Sequence, residues 1–105
     1  MSKIQNVCLK VVGVTFNNPD GSSRQDILRH VDKQDIIMLV REPDNQYDKY
    51  AVKVMTLYGQ VGYIGKEYTE IIAPMMDSGI AFSARINEVD EYKKKMYMSI
   101  IIDQV

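Results

Sequence analysis

The sequence predicts a small, mainly β domain with two short helices, built as a six-stranded, largely antiparallel barrel. Three observations lead there. Most apolar residues fall in short runs with period-two spacing. Only two segments carry helical spacing, and strands and helices do not alternate in the way that builds a parallel sheet. The chain has 105 residues, the usual length of one domain and too short for two independent cores, so residues 1–105 are read as one domain.

Taken in order, Gln5 to Phe16 is rich in Val at alternate positions and reads as the first strand. Asn17-Asn18-Pro19-Asp20-Gly21 is a dense set of turn formers that closes it. Ser23 followed three residues later by Asp26 gives a capping-box pattern, and Ile27, Leu28 and Val31 share the face of a short helix ending near His30 or Val31. Arg24 and Arg29 on that helix offer either a phosphate-facing edge or, as the preferred reading, a solvated face. Ile36 to Val40 is a continuous apolar run, the pattern of a strand buried on both faces. It empties into a polar loop. Ala51 to Met55 and Gln60 to Ile64 form a hairpin around Tyr58-Gly59. The second helix spans about Glu67 to Asp77, packs Ile71, Ile72, Met75 and Met76, is bent or shortened in its last turn by Pro74, and stops at Gly79. Ala81 to Val89 and Lys95 to Asp103 make a closing hairpin with Asp90-Glu91-Tyr92-Lys93-Lys94 as its tip.

Composition narrows the function. A hydrophobic share of 46% and a charged share of 26% are ordinary for a globular domain. A net charge of −1 excludes a general nucleic-acid coat, so any such contact comes from a local site. Cys8, between Val7 and Leu9, reads as a buried thiol, and one Cys with one His cannot make a four-ligand zinc site. Nor do Cys8 and His30 suggest a nucleophile pair, since one lies in a strand, the other near a helix end, and no third group orients them. Gly59, Gly62 and Gly65 lack the strand-to-helix context and lysine of a phosphate loop. Met1-Ser2-Lys3 leads into an alternating pattern and not an apolar leader, and no run matches a membrane span. A cytoplasmic protein is expected, with no cofactor, no catalytic residue, no membrane contact and no small-molecule substrate.

The loop from Arg41 to Val54, REPDNQYDKYAVKV, concentrates the chemistry. Tyr47 offers a flat face on which a base stacks, worth about 1–3 kcal/mol per base in single-strand binders. Asn45 and Asp48 flank it. An ionised Asp48 only accepts hydrogen bonds and repels a phosphate, so in a nucleotide pocket it favours a terminal hydroxyl over a continuing strand.

This loop resembles the signature of the HIRAN domain, a module found at the front of certain DNA-remodelling helicases and as a stand-alone bacterial protein. The resemblance runs in order through Val12-Gly13-Val14-Thr15-Phe16, Ser23-Arg24-Gln25-Asp26-Ile27-Leu28, Glu42-Pro43, Tyr47-Asp48, Ala51-Val52-Lys53-Val54 and Gly62-Tyr63-Ile64-Gly65-Lys66. It implies a modified OB-like barrel that, in the helicase-linked members, captures the 3′ end of single-stranded DNA. On that basis Phe16 and Tyr47 are the stacking aromatics, Asp48 reads the 3′-hydroxyl, Asn45 contacts the last nucleotide and Lys66 contacts a phosphate. Four positions depart from the helicase-linked pattern. Thr15 stands where those members carry a basic residue, Asp44 where they have an asparagine, Gln46 where they have a proline, and Tyr63 where a histidine occurs. These changes remove positive charge and add negative charge around the pocket, which implies weaker binding with a flatter salt dependence.

The expected function is therefore a nucleic-acid binding module for single-stranded DNA ends in repair or replication-related processing, acting beside a separate helicase or nuclease. A protein-interaction or adaptor domain using the same groove is the alternative, favoured by the near-neutral charge. A third reading is a metal-dependent nuclease built on Glu42, Asp44 and Asp48. The Lys93-Lys94-Lys95 run, flanked by Tyr92 and Tyr97, reads as a solubilising turn.

Overall fold

The computed structural model describes residues 3–105, which leaves the Met1-Ser2 start outside the described residues. Six strands and two helices follow one another as β1 (Val7–Val12), α1 (Arg24–His30), β2 (Ile37–Arg41), β3 (Val52–Thr56), β4 (Gly59–Ile64), α2 (Lys66–Asp77), β5 (Phe82–Tyr92) and β6 (Lys95–Gln104). Every strand pair is antiparallel, in the order β2-β3-β4-β1-β6-β5. The expected mainly β, antiparallel architecture is thus the one observed, as a curled half-barrel.

The curl is set by β1, which pairs with β6 through Val7–Lys10 and then passes to β4 through Val11 and Val12. At the hand-over β4 comes so close that a Cβ on Gly62 would lie 2.3 Å from the Val12 carbonyl oxygen. Only glycine permits that approach. The edge strands β2 and β5 consequently return alongside each other.

Inside the curl, Leu9, Val52, Val54, Val61, Ile100 and Ile102 are almost wholly buried. Each such aliphatic contributes about 1.5–3 kcal/mol on leaving water. Helix α1 adds Ile27 and Leu28 and packs on β4 and β6, while α2 adds Ile72 and Ala73. The Ser23 side chain accepts from the Asp26 amide at 3.1 Å, so α1 starts as its sequence pattern predicts. Helix α2 runs to Asp77 with Pro74 inside it and closes by paired bonds from Gly79 N to Met76 O and from Ile80 N to Met75 O, a Schellman stop.

Several expectations from the sequence are corrected. The first strand ends at Val12, because Gly13 turns the chain before Phe16. Strand β2 is not buried on both faces: Ile36 (before it), Met38 and Val40 are exposed, since β2 is an edge strand with one face outside the curl. Cys8 is exposed, because it sits on the outer face of β1, one position out of phase with Leu9. Ile71 is also exposed and does not join Ile72 in the core. The closing hairpin turns on Lys93-Lys94 alone, and Asp90, Glu91 and Tyr92 belong to β5. Among the described residues, no helix is long and apolar enough to cross a membrane.

Candidate nucleic-acid interface

A cavity of about 870 Å³ opens where the 13–23 loop, the 42–51 loop and the β4–α2 junction meet. Its walls bring together Phe16, Asp44, Asn45, Tyr47, Asp48, Tyr63 and Lys66. These residues are scattered from position 16 to position 66, and seven of the eight sequence-predicted positions converge on one cavity. The eighth, Thr15, is exposed on the turn before Phe16 and does not line it.

The two aromatics present their rings to solvent. Tyr47 is 88% exposed and Phe16 69% exposed. Other large apolar side chains are also exposed, among them Leu57, Ile36 and Ile71, but these two rings are the strongly exposed aromatics that border the cavity.

Loop 42–51 is held in shape by its own short polar side chains. The Asn45 Oδ1 accepts from the amides of Tyr47 (2.8 Å) and Asp48 (2.9 Å), and its Nδ2 donates to Glu42 Oε1. Asn45, expected as a ligand contact, thus spends much of its hydrogen-bonding capacity on orienting Tyr47 and Asp48. The Asp48 Oδ1 accepts from Tyr50 N at 2.9 Å, an Asx turn that leaves its carboxylate half-buried at the cavity wall.

The base of the loop is clamped by Arg41. Its Nη1 donates to Ala51 O, its Nη2 to Lys49 O at 3.0 Å, and Nε and Nη2 form a fork onto Asp77 at the end of α2. The hydrogen bond to Asp77 raises the Arg41 pKa and lowers that of Asp77. Both strands of the loop mouth are therefore tied to a helix.

Glu42 sits beside this clamp. Burial pushes its carboxyl pKa up, but bonds from Asn45 and the Tyr63 hydroxyl (2.9 Å), with Lys53 at 3.6 Å, outweigh that and hold it below the usual glutamate range. The carboxylate is already partnered. Glu42, Asp44 and Asp48 all border the cavity, yet no group of three His, Cys, Asp or Glu side chains among the described residues is placed to hold a metal ion.

Lys66 is the first residue of α2, exposed at the rim, where the helix begins at Gly65 without a side-chain cap. A positive side chain and free helix N–H groups there both favour an anion. Tyr63 is half-buried, anchored through its hydroxyl to Glu42 and covered by the Arg24 guanidinium at 5.4 Å from its ring centre.

Arg24 is a cavity-lining residue whose burial the helical spacing did not reveal. It is not solvated but 5% exposed, and it forms part of the cavity wall. The loop folded over the start of α1 buries it, and helical spacing alone carries no signal of that. Arg29, by contrast, is exposed and pairs with Glu91 at 3.2 Å.

Comparison with known proteins gives a consistent picture. The family model for the HIRAN domain matches residues 5–104. Over 52 residues the chain is 44% identical to helicase-like transcription factor of Oryctolagus cuniculus and 40% identical to that of Homo sapiens, a stretch that is 49% of this chain and 5% of each relative. The chain thus spans a small fraction of the length of these curated relatives. In structure it is similar to the HIRAN domain of human HLTF, with a TM-score of 0.72, 23% identity, and coverage of 97% of this chain and 76% of that one. A protein from Lactobacillus plantarum is similar at the same TM-score, 24% identity and 97% coverage of both chains.

Proposed function

This chain belongs to the HIRAN domain family, and from that premise we propose that its cavity captures the 3′ end of single-stranded DNA. One observation carries the reading. Two strongly exposed rings, Phe16 and Tyr47, share a cavity with the Asp48 carboxylate, so stacking surface and a hydroxyl acceptor occur together. The terminal bases stack on the rings. Asp48, with one oxygen held by the Tyr50 amide, accepts from the terminal 3′-hydroxyl and repels a phosphate in that place. Lys66 and the start of α2 face the strand's backbone. Binding of this kind serves repair or replication-related processing in the cytoplasm, beside a separate helicase or nuclease.

Fluorescence anisotropy of short labelled strands at low salt tests this. Strands ending in a free 3′-hydroxyl bind, and the same strands with a 3′-phosphate or a blocked 3′ end do not. Tyr47→Ala weakens binding roughly 5- to 160-fold, the worth of one stacked base. Asp48→Ala removes the discrimination between hydroxyl and phosphate. Equal binding of all three ends contradicts the role of Asp48, and no binding to any strand moves the cavity to a protein partner.

A further inference from the structure

We infer that Arg24 is a second anion-reading group of this cavity, beside Lys66, and that it takes the phosphodiester adjoining the terminal nucleotide. The inference rests on the reading that the cavity holds a DNA end. Arg24 is a buried cation whose partners are neutral: Nε donates to Asn18 Oδ1 at 2.7 Å and Nη1 to Gly13 O at 2.9 Å. No carboxylate among the described residues lies within ion-pair distance of it, whereas Arg29, Arg41 and Lys53 each have one. Its Nη2 donates to no described residue, although the side chain forms part of the cavity wall. A charge taken out of water is costly unless an opposite charge or a full set of hydrogen bonds meets it. Arg24 is partnered on one side and lies over the Tyr63 ring, while its Nη2 is left to the open cavity.

The protein maintains this arrangement at some expense. Asn18, itself buried, accepts from Arg24 while its Nδ2 donates to Gln60 O and Ser22 Oγ, so the guanidinium is fixed in direction by a loop anchored on β4. Gly13 marks where the parts converge. A Cβ built there would lie 3.3 Å from Arg24 Nη1, 3.8 Å from Phe16 Cδ2 and 4.0 Å from Tyr63 Cδ2. A base stacked on Phe16 therefore brings its own phosphate beside Arg24, whose planar fork suits two phosphate oxygens. Asp44 and Asp48 elsewhere on the wall oppose a second buried anion, so Arg24 reads a single linkage and not a run of them.

The test places one neutral methylphosphonate in strands bearing a free 3′-hydroxyl, either at the last linkage or four linkages upstream, and measures binding to the unmodified protein, Arg24→Lys and Arg24→Gln. Neutralising the last linkage weakens binding to the unmodified protein about tenfold, as loss of a charged hydrogen-bonded pair should. The upstream substitution has a much smaller effect. In Arg24→Gln the last-linkage substitution costs nothing further, and Arg24→Lys keeps part of the effect. If Arg24→Gln does not fold, as its melting curve would reveal, Arg24→Lys decides the matter, since the last-linkage effect shrinks in it if Arg24 reads that phosphate and is unchanged if Lys66 does. Equal loss at both linkages, equal loss with and without Arg24, or Arg24-dependent displacement of the strand by a peptide with a free carboxylate overturns the assignment. Failure of any strand to bind defeats the DNA-end reading itself, while Tyr47-dependent binding that ignores the modified linkage defeats only the role of Arg24.

Discussion

Glu42 shows how single side chains hold the site in readiness. It borders the cavity, but its carboxylate is engaged by Asn45, Tyr63 and Lys53, and it orients these side chains from behind. Its folded-state pKa lies below the ordinary glutamate value. The unfolded chain therefore takes up the proton first as pH falls, so the stability this group adds is present at neutral pH and drains away as pH drops through the folded pKa. Asp77 against Arg41 and Asp20 against Ser22 act in the same direction. The urea midpoint should fall between about pH 5 and pH 3, and Glu42→Gln should lower it at pH 7 while flattening that slope. An unchanged slope in Glu42→Gln would show that Glu42 stays unpartnered in solution.

Elements differ in how plainly they are written in the sequence. Both helices, the β3–β4 hairpin and the succession of elements along the chain are legible because caps, turn formers and alternating runs agree there. The tip of the last hairpin is not. Asp90 to Lys94 looks like a five-residue loop, yet Tyr92 pairs with Lys95 and the turn is Lys93-Lys94 with φ of 51° and 66°. Those angles define a type I′ turn, which favours Asn and Gly, so sequence reading had no reason to end the loop so late. Each of the two lysines there costs about 1–2 kcal/mol relative to a glycine. Replacing them by Asn-Gly should raise stability by that amount in urea denaturation without altering DNA binding. A fall in stability would mean that the lysines hold the tip, for instance through Lys93 over the Tyr92 ring. Strand β2 and Ile71 were misread for a related reason: a run of apolar residues does not say which positions an edge strand or a helix turns outward.

At the scale of the whole molecule, the half-barrel brings residues far apart in sequence to one rim. Hand-over of β1 from β6 to β4, fixed by the close approach at Gly62, sets Phe16 and Tyr63 near each other, and the Arg41 clamp brings loop 42–51 to them. The chemistry and order of the motifs singled out residues that the fold gathers, since Phe16, Asp44, Asn45, Tyr47, Asp48, Tyr63 and Lys66 all reach the cavity. Burial of Arg24 was not legible in the sequence, because it depends on Asn18 closing over α1. Thr15 stays outside the walls although it neighbours Phe16. The most direct test is a titration of the ¹⁵N-labelled protein with a short single strand ending in a 3′-hydroxyl, followed by amide chemical shifts. Shifts concentrated at Gly13, Phe16, Tyr47, Asp48, Tyr63 and Lys66 are predicted, with the outer face of β5 and β6 unmoved. Shifts centred on that outer face, or none at saturating strand, would contradict the assignment of this cavity as the DNA-end site.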